Sequence, residues 1–389
     1  MKLTLKIKLL STDEQSKYLL NTIKEANLAC NIISNVVWEK RIFNQFKIHN
    51  EVYHSIKQST NLSAQVIIRC ISKVTDAYKL DKKTKRTFRP LGSMTYDPRI
   101  LSYTPNDTVS IWTVGGRLKK LPFICHNRHY LPYIKGEADL VYKKGKFYLF
   151  QTVEVPDEKI TDVEEFIGID FGLTDIISTS DNIKYSAEWL NNYREKKQNI
   201  RSSIQVKADT SKRSTKRNCR KLSKRLSGKE KTTATIINHT ISKSIVKLAK
   251  EQSKGIAIEN LTGIRFTSKK RNKTFRIKLG KWNFHQLRSF LEYKSVLSGI
   301  KLVVVPPAYT SQMCHVCKYI GKRTNKVFEC TNENCKEKIL DADNNASKNI
   351  SLLGAAINQP EKSTLYCTMH SVSGLKPNHH LSVIGLFIL

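Results

Sequence analysis

Residues 309–350 read YTSQMCHVCKYIGKRTNKVFECTNENCKEKILDADNNASKNI and contain two cysteine pairs at short spacing. The first pair, Cys314 and Cys317, is a C-x2-C motif, and the second, Cys330 and Cys335, is a C-x4-C motif. A spacer of about a dozen residues between two such pairs is compatible with tetrahedral zinc bound by four thiolates. Four thiolates leave no open coordination position, so we expect this zinc to be structural.

Two acids, Asp341 and Asp343, follow the cysteines at once and open an apparent helix. His315 and Asp341 lie near the cysteines in sequence, and we expect neither to bind the zinc. A small metal-binding module directly before a pair of carboxylates suggests an insertion into the body of an acid-bearing catalytic domain.

The chain has 389 residues and a formal net charge of +34. Charge of that size implies a polyanionic partner, which we expect to be nucleic acid. No apolar run is long enough to span a bilayer, and the N-terminus lacks the apolar core of a signal peptide, so we expect a cytoplasmic protein with reduced thiols. The cysteines outside the two pairs are interpreted as packing residues: Cys30, Cys70, Cys125, Cys219 and Cys367.

The first 155 residues predict a small barrel with helices inserted in it. Residues 2–10 alternate as in a half-buried strand, and a capping signature at Thr12 begins a helix. A second helical region is predicted over about 27–58, and a third begins at Ser63. Short alternating segments over 88–155 predict an antiparallel barrel. If the first strand joins that barrel, the helices are an insertion in it.

From Asp170 to Ile350 the predicted order is three strands, helix, strand, helix, strand, cysteine module, helix. That is the element order of an RNase H-like fold. Asp170 lies inside the first strand, where a charged residue is costly unless it is paired or binds a ligand. Glu259 lies near the end of a later strand and Asp343 on the final helix, each where such a domain places a metal ligand.

Carboxylate oxygens are the ligands that magnesium prefers. Two such ions can activate a water and stabilise the leaving oxygen in phosphodiester hydrolysis. The sequence shows no Ser, Cys or His arrangement for nucleophilic catalysis.

A basic segment precedes the second acid. A solvated helix is the simplest interpretation, but like charges four residues apart destabilise an isolated helix. A phosphate backbone alongside explains the pattern better. The expected nucleic-acid-binding residues form two helical columns and part of a later basic loop: Lys212, Lys216, Arg220 and Lys224; Arg213, Arg217, Lys221 and Arg225; Lys269, Lys270 and Arg271.

The motifs GIDFGLTDIISTSDN, IAIENLTGI and the run from Trp282 through PPAYTSQMCHVC to DADNNASKNI resemble TnpB proteins. These are RNA-guided nucleases encoded by certain insertion sequences and related to the type V CRISPR effectors. The resemblance extends weakly to the N-terminal strand, the LSAQVIIR helix and residues 137–155, and so covers about residues 1–352. The order of three acids, with the cysteine insert before the last, is specific to this group.

The resemblance implies a multi-domain α+β chain in which a wedge-like β-barrel is interrupted by a helical recognition domain. An RNase H-like (RuvC) nuclease domain with an inserted zinc ribbon follows. The implied ranges are 1–10 and 88–160 for the barrel, 11–87 for the helical domain, 161–308 and 340–356 for the nuclease domain, 309–339 for the zinc ribbon that binds target nucleic acid, and 357–389 for a tail in which disorder is one expectation.

The resemblance also implies residue roles. Asp170 matches the first catalytic acid, Glu259 the second, and Asp343, not Asp341, the third. These acids would bind catalytic Mg²⁺, two ions in all, while Cys314, Cys317, Cys330 and Cys335 match the zinc ligands. The implied activity is cleavage of double-stranded DNA beside a short adjacent motif by a monomer in the prokaryotic cytosol or nucleoid. It would be directed by a guide RNA from the transposon end, with base pairing reading the target.

The chain departs from the family pattern at three points. The second cysteine pair is wider than usual, and Lys318 and Lys336 stand where a glycine customarily follows each pair. The tail after about residue 355 does not resemble the family, so it is either disordered or an altered reading of the end of the gene.

Three alternatives share part of this pattern. A nuclease-inactive RNA-guided repressor would lack at least one acid, and all three are present. A miniature type V CRISPR effector would have the same chemistry and differ in a neighbouring repeat array. A transposing enzyme on an RNase H-like fold fits poorly with the zinc insert and the long N-terminal architecture.

Overall fold

The structure is a computed structural model that describes residues 1–210, 212–262, 276, 279–280, 282 and 284–359. The chain divides into two compact units, Met1–Pro156 and Asp157–Leu389. Both combine helices with β-sheets, so the expected α+β class is confirmed at this level.

The first unit is built on a seven-stranded antiparallel sheet that curves into a near-barrel. Its strands are β1 Lys2–Leu9, β2 Met94–Tyr96, β3 Leu101–Thr104, β4 Thr108–Thr113, β5 Gly116–Cys125, β6 Ile134–Lys143 and β7 Lys146–Glu154. The spatial order is β2-β6-β7-β1-β5-β4-β3, so β1 lies in the middle of the sheet. The alternation in β1 buries Leu5, Ile7 and Leu9 and exposes Lys6. The first strand therefore joins the later strands as expected.

Three helices lie between β1 and β2: α1 Asp13–Lys40, α2 Gln45–Ser59 and α3 Ala64–Leu80. The capping box at Thr12 is present, because its side chain accepts from the Gln15 amide and the Gln15 side chain accepts from the Thr12 amide. The predicted start of a second helical region near residue 27 is wrong. The apolar stripe continues through Ala26, Cys30 and Ile33 with no breaker, so α1 runs unbroken to Lys40.

The second unit has a five-stranded sheet of order β10-β9-β8-β11-β12. Its strands are β8 Phe166–Asp170, β9 Asp175–Thr179, β10 Lys184–Ser186, β11 Gly255–Glu259 and β12 Leu302–Val305. The first three strands pair antiparallel, whereas β11 runs parallel to both β8 and β12. All five strands lie where the sequence predicts strands along the chain.

Five described helices surround this sheet: α4 Glu188–Asp209, α5 Arg213–Leu226, α6 Lys229–Glu251, α7 Phe284–Leu297 and α8 Ala342–Asn358. One face of the sheet, with Ile167 and Ile256, packs against α6 and α7. The opposite face, with Phe166 and Ala257, packs against α8. Since both faces of β8 and β11 are covered, these strands are almost continuously apolar, as buried parallel strands are.

The cysteine module forms a small antiparallel sheet of β13 Lys322–Thr324, β14 Val327–Glu329 and β15 Ile339–Asp341. Strand β15 ends at Asp341, directly before α8 begins. The module is thus continuous with the helix that covers one face of the five-stranded sheet.

Candidate functional site

Three acids lie at the ends of neighbouring elements of the second unit. Asp170 is the last residue of β8, and Glu259 is the last residue of β11. Because β8 and β11 are parallel, with Ile169 opposite Ile258, the two carboxylates leave the sheet at the same edge. Asp343 lies in the first turn of α8 and is 7% exposed, close enough to Asp170 for the two charges to interact.

Burial and mutual repulsion raise the pKa of two of these acids. Burial, with the nearby charge of Asp170, raises the pKa of Glu259 to about 7. Burial, with the nearby charge of Asp343, raises the pKa of Asp170 to about 6. Clustered carboxylates that resist ionisation form a site whose energy improves when a cation binds.

Two cations from the cysteine module contact this acidic cluster. Arg323 Nη2 lies 2.7 Å from Asp343 Oδ1, and Lys326 pairs with Asp343 Oδ2. Lys326 Nζ also lies 2.5 Å from Oδ2 of Asp175, the first residue of β9. The negative charge of Asp343 is therefore balanced by Arg323 and Lys326, which follow the first cysteine pair in the sequence.

Thr310 supports the second acid. It is buried, and its hydroxyl donates to Glu259 Oε1. Sequence reasoning did not identify Thr310, Asp175, Arg323 or Lys326. The one signal available was that Asp175 opens the strand directly after the one that carries Asp170.

Asp341 has a different environment from Asp343. It is the N-cap of α8 and accepts a hydrogen bond from the Asn344 amide at 2.9 Å. Its other oxygen lies 2.7 Å from Lys184 Nζ. Asp341 is exposed and fixes the start of the helix, while Asp343, two residues later, is buried beside Asp170.

The four cysteines converge as their spacing predicts. The Sγ atoms of Cys314, Cys317, Cys330 and Cys335 all lie within 4.8 Å of one another. Within the described ranges, these cysteines are the one group of three or more His, Cys, Asp or Glu side chains whose ligand atoms lie close enough to share an ion, so Asp170, Glu259 and Asp343 do not form such a group while Asp343 is paired with Arg323 and Lys326. Phe328 packs against the cluster and is fully buried. Four converging thiols in a small sheet fit a structural zinc.

The departures from the customary cysteine motif have a local explanation. Lys318, which stands in the place of a glycine, adopts a left-handed conformation with φ of 64°. That is the conformation that glycine adopts without steric cost, so Lys318 keeps the turn at some expense. In the wider second pair, Cys335 closes a tight turn by donating its amide to the Asn332 carbonyl at 3.1 Å.

His315 does not belong to the cysteine cluster. Its amide and ring Nδ1 lie 2.8 and 3.1 Å from Asn345 Oδ1 on α8. Asn345 and Asn349 both donate to the Met313 carbonyl, at 2.7 and 2.6 Å. The first cysteine loop is thus fastened to the helix that carries Asp343.

The expected basic columns lie on α5. Lys212 is the N-cap residue of this helix, and the other seven basic residues of the two columns lie within it. All eight side chains are exposed. Lys269, Lys270 and Arg271 lie outside the described residues, as does the tail beyond Gln359. No helix in the described part of the chain combines the length and apolar character needed to cross a membrane.

One family model matches the cysteine module and the elements on either side of it. The family model described as "Cas12f1-like, TNB domain" matches residues 284–350. This range contains α7, β12, the cysteine module and the first half of α8, including Asp343.

Several curated proteins are similar to parts of the chain. A TnpB-like protein of Methanocaldococcus jannaschii is 34% identical over 114 residues, which are 29% of this chain and 41% of that protein. The CRISPR-associated endodeoxyribonuclease Cas12f1 of Syntrophomonas palmitatica is 29% identical over 249 residues, 54% of this chain and 49% of that protein. The Cas12f2 endodeoxyribonuclease of a Micrarchaeota archaeon is 35% identical over 120 residues, 29% of this chain and 22% of that protein. The chain spans less than half the length of these curated relatives.

Two solved structures also align with the chain. A Cas12f1–sgRNA–target DNA complex aligns over 90% of this chain and 99% of its own, with 16% identity and a TM-score of 0.38. A CRISPR-Cas12f ternary complex aligns over 91% of this chain and 83% of its own, with 17% identity and a TM-score of 0.40.

Proposed function

We propose that this chain, which is similar to TnpB and Cas12f proteins, is an RNA-guided DNA endonuclease of that family. It would cleave double-stranded DNA beside a short adjacent motif by metal-dependent phosphodiester hydrolysis. The observation that carries this proposal is the meeting of Asp170 and Glu259 at one edge of two parallel strands, with Asp343 beside them.

The acidic site has the donors that magnesium prefers. Asp170, Glu259 and Asp343 offer carboxylate oxygens, and repulsion among them raises the pKa of the first two. Bound magnesium would supply an activated water and stabilise the leaving oxygen of the phosphodiester. The three carboxylates would hold the metal, and the Thr310 hydroxyl orients the Glu259 carboxylate.

Arg323 and Lys326 act at the same site from the cysteine module. In the present arrangement both pair with Asp343, so this carboxylate must exchange side-chain cations for the metal. Once released, the two side chains bring positive charge to an acidic site that must accept a phosphate. The zinc ribbon would thereby contribute to the nuclease site as well as to the fold.

The rest of the chain would bind guide RNA and target DNA. We propose that the sheet of the first unit is the wedge domain and α1–α3 the recognition domain. The five-stranded sheet with its helices would be the RuvC domain, and β13–β15 with the four cysteines the zinc ribbon. The basic columns of α5 would contact a phosphate backbone. A guide RNA copied from the transposon end would then read the target by base pairing.

Cleavage by acid variants tests the nuclease proposal. The chain is purified with the RNA that copurifies with it, and that RNA is sequenced to define the guide. Asp170→Ala, Glu259→Ala and Asp343→Ala should each abolish magnesium-dependent cleavage of a matching plasmid and leave the copurifying RNA unchanged.

Asp341→Ala is the matched control, since it removes a carboxylate two residues from Asp343. Loss of this N-cap should cost about 1 kcal/mol of stability while cleavage persists. Full cutting by the Asp170→Ala protein would contradict the proposal, and so would copurification of random cellular RNA alone.

A further inference from the structure

Helix α4 carries an exposed aromatic column that the acidic site does not use. Trp189 and Tyr193, one turn apart, stack with ring centroids 5.4 Å apart and an interplanar angle of 9°. One turn further on, Lys197 Nζ lies 5.1 Å from the centre of the Tyr193 ring. The Tyr193 ring is thus contacted by Trp189 on one side along the helix and by Lys197 on the other.

The outer face of Trp189 is open. This side chain is 62% exposed, while the other three tryptophans of the chain, all within the described residues, are buried or half-buried. The packing of α4 does not require the ring, because the core side of the helix is supplied by Ala187 and Leu190. A large aromatic surface held in place by its neighbours and left exposed is typical of a binding surface.

Helix α4 begins close to the turn after Asp170, but Trp189 lies on its outer side. Side chains on a helix lean toward its N-terminus, so Trp189 points toward the start of α4. That start is fastened to the turn after Asp170: the Ala187 amide donates to the Thr174 carbonyl at 2.8 Å, and Asn191 Nδ2 donates to the Leu173 carbonyl at 3.3 Å. Trp189, two residues from each of these contacts, lies on the other side of α4 and faces away from this turn.

The surroundings favour a polyanion with flat rings. Helix α4 packs against α5, whose fourteen residues include seven basic side chains and no acidic one. Single-stranded nucleic acid combines phosphates, which a basic helix attracts, with unpaired bases that stack on aromatic rings. A duplex hides its base faces and a peptide would not need the basic ridge, so the column fits an unpaired strand.

We infer that Trp189, backed by Tyr193 and Lys197, is a stacking platform for an unpaired base of a single DNA strand bound along α4 and α5. This inference rests on the proposed function, because that function exposes the protein to unpaired strands of its DNA target. Trp189 is a positioning residue: it would hold the strand and take no part in the chemistry.

Binding without added magnesium tests the platform separately from cleavage. The full chain with its copurifying RNA is titrated with fluorescein-labelled oligothymidylate of about twenty nucleotides that cannot pair with the guide. Trp189→Ala should weaken binding by about 5- to 100-fold, the effect of losing one base–aromatic stack. Trp189→Phe should retain most of the affinity. Val206→Ala is the matched control, because Val206 is an exposed apolar residue on the same helix.

An abasic strand of equal length separates stacking from charge. It keeps the phosphates and lacks the bases, so wild type and Trp189→Ala should bind it equally. Photo-crosslinking of a 5-iodo-deoxyuridine strand should also label the α4 peptide that contains Trp189. Equal binding of oligothymidylate by wild type and Trp189→Ala, or a loss shared by the abasic strand, would overturn the inference. A loss confined to an RNA oligonucleotide would also overturn it.

The two proposals can fail separately. If Trp189→Ala binds the single strand normally while the wild-type protein cleaves, the platform is refuted and the nuclease stands. If Trp189→Ala loses binding while no protein cleaves DNA, the platform stands and the nuclease proposal fails.

Discussion

Glu259 is buried at the end of β11, where the charge of Asp170 acts on it. Its raised pKa makes the stability of the magnesium-free protein depend on pH. Below about pH 4, the ordinary pKa of an unfolded glutamate, the residue is protonated in both states and costs nothing. As pH rises toward the folded pKa of about 7, the unfolded state gives up its proton first, and stability falls.

Glu259→Gln removes this ionisation. The variant should be more stable than the wild type, and this difference in stability should be larger at pH 8 than at pH 5 by on the order of 2 kcal/mol. The reason is that the wild type must bury a charge at pH 8. Urea unfolding in magnesium-free buffer, with zinc retained, measures the difference. Glu329→Gln, an exposed residue of β14, serves as the control. The same Glu259→Gln effect at both pH values would show that Glu259 titrates as an ordinary glutamate.

At the scale of elements, the position of Asp343 depends on how closely α8 approaches β8. Gly168 faces α8, and a Cβ there would overlap the Ser347 carbonyl oxygen and crowd the Ser351 backbone. Ser351 Oγ lies within 2.6 Å of the Phe166 carbonyl and donates to it. The helix therefore rests on the strand backbone itself.

Gly168→Ala should lower stability by about 2–4 kcal/mol and disturb the acidic site, because backbone atoms cannot move aside cheaply. The expected result is a lower melting temperature together with weaker magnesium binding, measured by calorimetry. Gly280→Ala is the control, because an added Cβ there meets nothing within 4 Å. Equal melting temperatures for wild type and Gly168→Ala would refute this account of the helix contact.

The positions of the strands and the convergence of the four cysteines were predictable because each leaves a local mark. Asp170 interrupts an apolar strand, and the cysteines stand at ligand spacing. The contacts made by Lys326 left no such mark. A lysine in a hairpin resembles a solvated residue, and its partner Asp175 lies 151 residues away. Only the packing of the cysteine module against the acidic edge brings them together. Helix α1 shows a second limit of prediction from sequence, because its continuous apolar stripe contains no signal for where one helix ends and the next begins.

At the scale of the whole molecule, the charge of +34 favours binding to a polyanion. Much of that charge lies on ordinary surface, but α5 concentrates seven basic side chains with one buried residue, Cys219. Neighbouring like charges destabilise this helix when it is free. A bound phosphate backbone would remove the repulsion, so nucleic acid should stabilise α5 as well as dock on it.

Neutralising four basic residues of α5 should make DNA binding less dependent on salt. The DNA used is a duplex that is not complementary to the guide RNA. Each phosphate contact contributes about 0.9 to the slope of log affinity against log salt, so four lost contacts lower it by about 3 to 4. The expected curves diverge at low salt and converge at high salt, and filter binding over a salt series measures them. The four substitutions on α5 are Lys216→Gln, Arg217→Gln, Arg220→Gln and Lys221→Gln.

A control protein with the same net charge distinguishes a contact between α5 and the DNA backbone from general electrostatic attraction. Four exposed lysines of the first unit are changed instead: Lys119→Gln, Lys120→Gln, Lys143→Gln and Lys144→Gln. If α5 lies on the backbone, the control should leave most of the slope intact, because counterions are released only where phosphates are contacted. An equal fall in both proteins would mean that net charge alone attracts the DNA, and the role of α5 would have to be abandoned.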